Sequence, residues 1–205
     1  METSSIVLAG GKSLRLGYDK VLETVGNRSL LQLVVSAVTA LSSEVIIVAT
    51  NEQTIPQSID YSNLKVATDI YTGKGPLGGI YTGLANSTSF YNLVVASDMP
   101  FLNQDLLHYM IQLSANFDLV IPRMGNLVEP LHAIYTKSCL APIKDMIKQD
   151  KLSVNQLFSL VKTRYVEAEE IERFDPKHLS FFNINSKADL RRAREIARGL
   201  SDDKR

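Results

Sequence analysis

The chain is poor in cysteine. Cys139 stands alone, so no disulfide can form within the chain, and a zinc site built on cysteines is not expected. It also lacks an excess of either charge: Lys+Arg and Asp+Glu both total 22 in 205 residues. A protein that grips duplex DNA or a membrane surface through its overall field shows a basic surplus. With none here, no nucleic-acid partner and no membrane partner are expected, and any phosphate-binding charge must be local, which suits a small ligand. No apolar run reaches the roughly 18 residues of a membrane-spanning helix. The short apolar run at 6–9 meets glycines and charge at once, unlike a signal peptide. A cytoplasmic location is therefore the expectation, and the glycosylation-like triplets Asn27-Arg28-Ser29 and Asn86-Ser87-Thr88 carry no meaning there. Histidine is scarce too, with three in the chain, and neither His108 nor His178 has a partner at metal-ligand spacing.

Two familiar phosphate grips are missing as well. Gly11-Lys12-Ser13 looks like the end of a Walker A loop, but the earlier glycine that loop requires is replaced by Ile6. The dinucleotide pattern Gly-x-Gly-x-x-Gly also fails, with Lys12 or Ser13 at its second glycine, which argues against a dehydrogenase. What the chain does have is the stretch 8–20, Leu-Ala-Gly-Gly-Lys-Ser-Leu-Arg-Leu-Gly-Tyr-Asp-Lys, directly after the apolar run 5–8. Gly10 and Gly11 carry no Cβ, so their backbone N–H groups can approach a ligand closely. Lys12, Arg15 and Lys20 supply positive charge. An apolar strand, a glycine turn and spaced cations describe a polyphosphate grip of a third type.

Along the chain, apolar strand runs alternate with helical patterns. Strands are expected at 5–8, 44–49, 65–67, 92–96, 119–122 and 131–135, and helices at 29–41, 78–86, 103–114, 138–148 and 187–200. This alternation predicts an α/β sandwich with a mainly parallel sheet. The chain is 45% hydrophobic, enough for one domain, residues 1–205, burying roughly 70% of its unfolded surface. In helix 29–41, capped by Ser29 or Asn27, Leu30, Leu33, Val34, Ala37, Val38 and Leu41 recur at helical spacing and are expected to pack on the sheet. In the last helix Leu190, Ala193, Ile196, Ala197 and Leu200 share one side, while Arg191, Arg192, Arg194 and Arg198 form a solvated surface.

Ligands of such sheets bind beyond the carboxyl ends of the strands. Polar residues stand there: Gly10-Gly11, Asn51, Asp69 and Asp98 follow the first four strands in turn. Asp98, in Ser97-Asp98-Met99-Pro100, is delivered by a buried run that Pro100 stops. A carboxylate so placed can hold Mg²⁺ against nucleotide phosphates; Asn103 is better placed to cap the following helix. Asp69 opens a loop that runs through Gly75-Pro76-Leu77-Gly78-Gly79 into a helix, whose exposed N–H groups and carbonyls can read a base edge. Each of these polar residues also has an ordinary alternative: Asp69 and Asn51 as turn residues, Lys20 as an ion-pair partner of Asp19. In Phe182-Asn183-Ile184-Asn185, alternation puts both asparagines on one side of a strand, with Asn185 or Ser186 capping the last helix.

These stretches resemble nucleotidyltransferases that activate sugars and cofactors, and within them the molybdenum cofactor guanylyltransferases. The matching motifs are Leu-Ala-Gly-Gly with Arg15, Gly17 and Asp19-Lys20; Gly-Pro-Leu-Gly-Gly at 75–79; Asp98-Met99-Pro100; Glu129-Pro130-Leu131; and Asn183-Ile184-Asn185-Ser186. Leu16 replaces the commoner Met, and Ser186 the usual Thr. Relatives that transfer cytidylyl groups carry Ala where this chain has Gly10, which leans toward guanine. The resemblance implies a three-layer α/β/α sandwich with a Rossmann-like, mainly parallel sheet of the nucleotide-diphospho-sugar transferase type. It implies Mg²⁺-dependent transfer of GMP from GTP to molybdenum-molybdopterin. Arg15, Lys20 and Asp98 would be catalytic, with Asp98 on the metal. Leu8, Ala9, Gly10, Gly11, Lys20, Asn51, Asp69, Gly78 and Asp98 would bind the nucleotide, and Glu129, His132, Asn183 and Asn185 the acceptor. His132 is not needed as a base, because a phosphate monoester is already largely ionised near pH 7; it reads as packed or substrate-touching. Transient contact with molybdopterin-handling proteins or apo-molybdoenzymes is implied. The residues alone leave open the same chemistry on another phosphorylated acceptor or with CTP, and a non-catalytic nucleotide- or cofactor-binding adaptor.

Overall fold

A computed structural model describes residues 1–9, 23–50 and 61–202. The strands, in chain order, are β1 (Thr3–Leu8), β2 (Thr24–Val25), β3 (Arg28–Ser29), β4 (Glu44–Ala49), β5 (Leu64–Thr68), β6 (Tyr91–Ala96), β7 (Leu119–Met124), β8 (Leu127–Val128), β9 (His132–Thr136) and β10 (Thr163–Glu167). The α-helices are α1 (Leu30–Thr39), α2 (Gly75–Asn86), α3 (Gln104–Leu113), α4 (Leu140–Lys148), α5 (Ala168–Ile171) and α6 (Lys187–Asp202). The main sheet runs β10-β7-β9-β6-β1-β4-β5, with β8 beside β7; β2 and β3 form a separate antiparallel ribbon. β9 lies antiparallel to both neighbours and β8 antiparallel to β7, while the other pairs of the main sheet are parallel.

Alternation along the central strands sends side chains to two opposite cores. Ile6, Leu8, Ile46 and Val48 face α2 and α4, with Leu77, Leu84, Ile143 and Ile147. Val7, Val45, Ile47, Leu93 and Val95 face α1 and α3, with Leu31, Val34, Leu106 and Met110. Both faces of the sheet are covered, so the strands read as continuous apolar runs. The result is the α/β sandwich the strand–helix alternation predicts, in the three layers the resemblance implies. α2 lies close on β1 because it is glycine-rich: a Cβ at Gly83 would stand 2.3 Å from Ile6 Cγ2.

Local differences from the expected elements have physical causes. The sheet-facing stripe of α1 is Leu31, Val34, Val35 and Val38, while Leu30 turns to a third core with Val25, Ile184, Leu190 and Ala193. Ser29 caps α1 in a capping box with Gln32. α2 begins at Gly75, three residues earlier than expected, because Pro76 supplies a ready-made first turn; Gly75, at φ 64°, turns the chain into it. β10 escapes the sequence pattern because only Val166 of its five residues is buried. Its charges are paired, Glu167 with Arg123 of β7 and Arg164 with Glu170 of α5. The segment 183–185 is not a strand. It is not paired with the sheet, and Ile184 alone is buried in it.

Candidate active site at the carboxyl edge of the sheet

β1 ends between β4 and β6, and its pairing fixes where the chain leaves the sheet. The Ala9 N–H donates to the Val48 carbonyl at 2.8 Å, and the Ser97 N–H donates to the Leu8 carbonyl at 3.1 Å. The side chain of Leu8 is buried against Gly79 of α2, so any contact from Leu8 to a ligand is made by backbone. Gly10, Gly11, Lys12, Arg15, Lys20 and Asn51 lie outside the described residues. The Ser97 bond nevertheless puts Asp98 one residue beyond the point where the glycine stretch departs.

Asp98, Glu129 and Asn183 come together there. The Asp98 carbonyl accepts the Ile184 N–H at 3.0 Å, which staples the asparagine segment onto the Asp98 turn. Half-buried Glu129 accepts the Leu131 N–H at 3.3 Å and is hydrogen-bonded by the Asn183 side chain. Its carboxyl pKa is raised, first by burial and then by the nearby charge of Asp98. Asn103 caps α3 through a bond from the Leu106 N–H at 2.9 Å, leaving Asp98 out of that role. Asn185 is exposed, and its N–H donates to Asp189 at 3.0 Å. Ser186 caps α6, accepting the Asp189 N–H at 3.1 Å. Among the described residues no group of three or more His, Cys, Asp and Glu forms a self-sufficient metal cage. The pair of carboxylates fits Mg²⁺ instead, which uses one or two carboxylates and completes its shell with water and substrate phosphate.

Asp69 follows β5, with its N–H bonded to the Ala49 carbonyl at 2.9 Å. Its Oδ1 accepts from the Tyr71 N–H and the Thr82 hydroxyl, both at 3.0 Å. Gly78, expected at the start of a helix, is buried in the first turns of α2. A Cβ there would stand 2.7 Å from the Tyr71 carbonyl oxygen and 3.4 Å from Asp69 Oδ1. The glycine lets the helix and the Asp69 loop touch. Thr82, four residues on and so on the same helix face, was not found by sequence reasoning; a helical hydroxyl in an apolar run carries no local mark of its partner.

For His132 the sequence leaves packing and substrate contact both open. The residue opens β9 and is fully buried, with its ring 4.8 Å from that of Phe181. Neither ring nitrogen reaches a hydrogen-bond partner among the described residues. Burial lowers its pKa to about 4, against the opposing charge of Asp175. This burial against Phe181 fits the packed reading of the histidine. His108 pairs with Gln112, and His178 lies 3.6 Å from Glu172.

A mainly parallel sheet covered by helices on both faces, with the acidic turn of Asp98 beyond the end of β6, is the architecture of a nucleotidyltransferase. Residues 5–165 match the model of the MobA-like NTP transferase domain. A probable molybdenum cofactor guanylyltransferase of Pelotomaculum thermopropionicum is 34% identical over 96% of this chain and 94% of its own length. The molybdenum cofactor guanylyltransferase of Syntrophotalea carbinolica is 33% identical over 96% and 93% respectively. The crystal structure of molybdopterin-guanine dinucleotide biosynthesis protein A from Archaeoglobus fulgidus superposes with a TM-score of 0.82 at 28% identity, covering 96% of this chain and 99% of that one. The chain belongs to the MobA-like NTP transferase family. Among the described residues no helix is long and apolar enough to cross a membrane.

Proposed function

We propose that this chain transfers GMP from GTP to molybdenum-molybdopterin, forming the guanine dinucleotide cofactor and releasing pyrophosphate. The observation that carries this reading is the match along almost the whole chain to proteins named for that activity. A terminal phosphate oxygen of the acceptor attacks the α-phosphorus of GTP. The bond to the bridging oxygen of the β-phosphate breaks, and no covalent protein intermediate is needed. Catalysis then consists of holding the groups in line and neutralising charge on the α-phosphoryl oxygens and the departing pyrophosphate.

Asp98 would hold Mg²⁺, with Glu129 beside it. When bound, the ion supplies positive charge to the phosphate oxygens. Arg15 and Lys20 would bind the triphosphate, Arg15 as a forked donor, along the backbone of Gly10 and Gly11. Asn51, Asp69 and the start of α2 would receive the base. Asn183, tied to Glu129 and, through Ile184, to the Asp98 turn, would place the acceptor phosphate, with Asn185 at its margin. Product would pass on by transient contact with molybdopterin-handling proteins or apo-molybdoenzymes.

The test is pyrophosphate release from each of the four ribonucleoside triphosphates, with Mg²⁺ and molybdenum-loaded molybdopterin. Release with GTP alone, dependent on the acceptor, is expected. Release with CTP instead, or none with any triphosphate, contradicts the reading.

A further inference from the structure

Thr82 is a fully buried hydroxyl in the middle of α2, and both of its hydrogen-bonding capacities serve the loop that begins at Asp69. Its hydroxyl donates to Asp69 Oδ1 at 3.0 Å and accepts the Ile70 N–H at 3.0 Å. The Tyr71 N–H supplies a second donor to the same carboxylate oxygen. A carboxylate oxygen has two in-plane lone pairs, so Oδ1 is filled by the protein itself. The backbone of Asp69 is fixed as well, through its N–H to the end of β4. The carboxylate is therefore pinned at one oxygen, and among the contacts of the described residues Oδ2 is the oxygen left to accept from a ligand.

We propose that Thr82 is a positioning residue that sets selectivity for guanine: by pinning Asp69 Oδ1 it holds Oδ2 in one place to accept the N1–H and N2 amino hydrogens of the base. This rests on the reading above that Asp69 receives the base. Guanine is the common base that presents two adjacent donors on that edge; adenine and cytosine offer an unprotonated ring nitrogen there. A fixed carboxylate oxygen rewards both donors together. A carboxylate free to rotate finds the N1–H alone almost as well, and inosine, which lacks the N2 amino group, then competes. The hydroxyl is needed for this and the methyl group is not, because the hydroxyl carries both bonds.

The experiment is calorimetric titration of the full chain with GTP and with ITP, each with Mg²⁺, giving the ratio of their dissociation constants. It is run on the parent chain and on Thr82→Val, Thr82→Ala, Thr82→Ser and Asp69→Asn, with the melting temperature of each recorded. The parent should prefer GTP by about tenfold or more, the scale of one hydrogen bond to a charged group. Thr82→Val should lose most of that preference, Asp69→Asn should lose all of it, and Thr82→Ser should keep it. Thr82→Ala removes the same hydroxyl without filling the space, and should behave as Thr82→Val does if the valine variant does not fold. A general loss of folding would weaken both nucleotides alike and leave the ratio unchanged. A ratio that falls in Asp69→Asn but stays at the parent value in folded Thr82→Val or Thr82→Ala overturns the role of Thr82 alone. A ratio unchanged in Asp69→Asn, or a parent that does not distinguish the nucleotides, overturns the base contact itself and the Thr82 proposal with it.

Discussion

Glu44 and Glu129 stand at opposite edges of one sheet, and their surroundings differ in kind. Glu44 begins β4 at the amino edge and is buried. Its Oε1 takes hydrogen bonds from the Ser4 hydroxyl at 2.7 Å and from the N–H and hydroxyl of Thr88, both at 2.6 Å. Its Oε2 meets Lys65 Nζ at 2.6 Å. Burial alone would push its pKa up, but the Lys65 pair and these donors hold it at about 2. Glu129 at the carboxyl edge has the Leu131 N–H and the Asn183 amide, and faces the like charge of Asp98, so its pKa moves upward. The first carboxylate is satisfied by the protein and ties three elements together. The second is one of two neighbouring negative groups that a bound cation would relieve. A buried charge whose partners all lie within the fold marks structure; one set beside its own kind at strand ends marks a site.

Substitutions at the two edges should separate these roles. The largest effect is expected for Asp98→Ala: a loss of turnover of about a thousandfold or more, with a melting temperature close to that of the parent chain. Near-full Mg²⁺-dependent activity would remove Asp98 from the mechanism and erase the contrast. Glu44→Gln should do the reverse, leaving nucleotide turnover at low temperature while costing on the order of 3 kcal/mol of stability at neutral pH. The sign follows from a folded pKa of about 2 against an ordinary 4.5: the contribution is complete above about 4.5 and is lost as pH falls toward 2. Denaturant titrations across that window should show an acid decline in the parent chain that is much reduced in Glu44→Gln. The smallest effect at neutral pH is expected for His132→Phe, which keeps the packing on Phe181 and removes two nitrogens that have no partner among the described residues. Because the folded histidine has a pKa of about 4 against 6.5, its neutral form contributes stability that is complete above 6.5 and lost as pH falls from there toward 4. Loss of that limb in His132→Phe, with little change in turnover at pH 7.5, is the expected result; a collapse of acceptor binding would restore His132 to the site.

The same contrast explains what could be read from the chain. β1, β4 and β6 were legible because both faces are buried, and unbroken Val-Ile-Leu runs follow from that. Asp98 was legible because a charged residue and a proline end such a run. The asparagine segment was recognised but given the wrong element: Ile184 alternates with its neighbours as in a strand, yet its N–H bonds to the Asp98 carbonyl rather than to a strand partner. β10 was missed because its outward residues are charged and paired in space, not in sequence. Gly78 was legible as a helix start, but the reason for its glycine, the 2.7 Å approach of the Tyr71 carbonyl, was not. Thr82 and the burial of His132 left no local signal, because each depends on which loop lies over it.

The most direct measurement is a crystal structure with a non-hydrolysable GTP analogue and Mg²⁺. The account predicts the metal on Asp98, the triphosphate along the backbone of Gly10 and Gly11, and the guanine edge at Asp69. A triphosphate bound away from both Gly11 and Asp98 would contradict it.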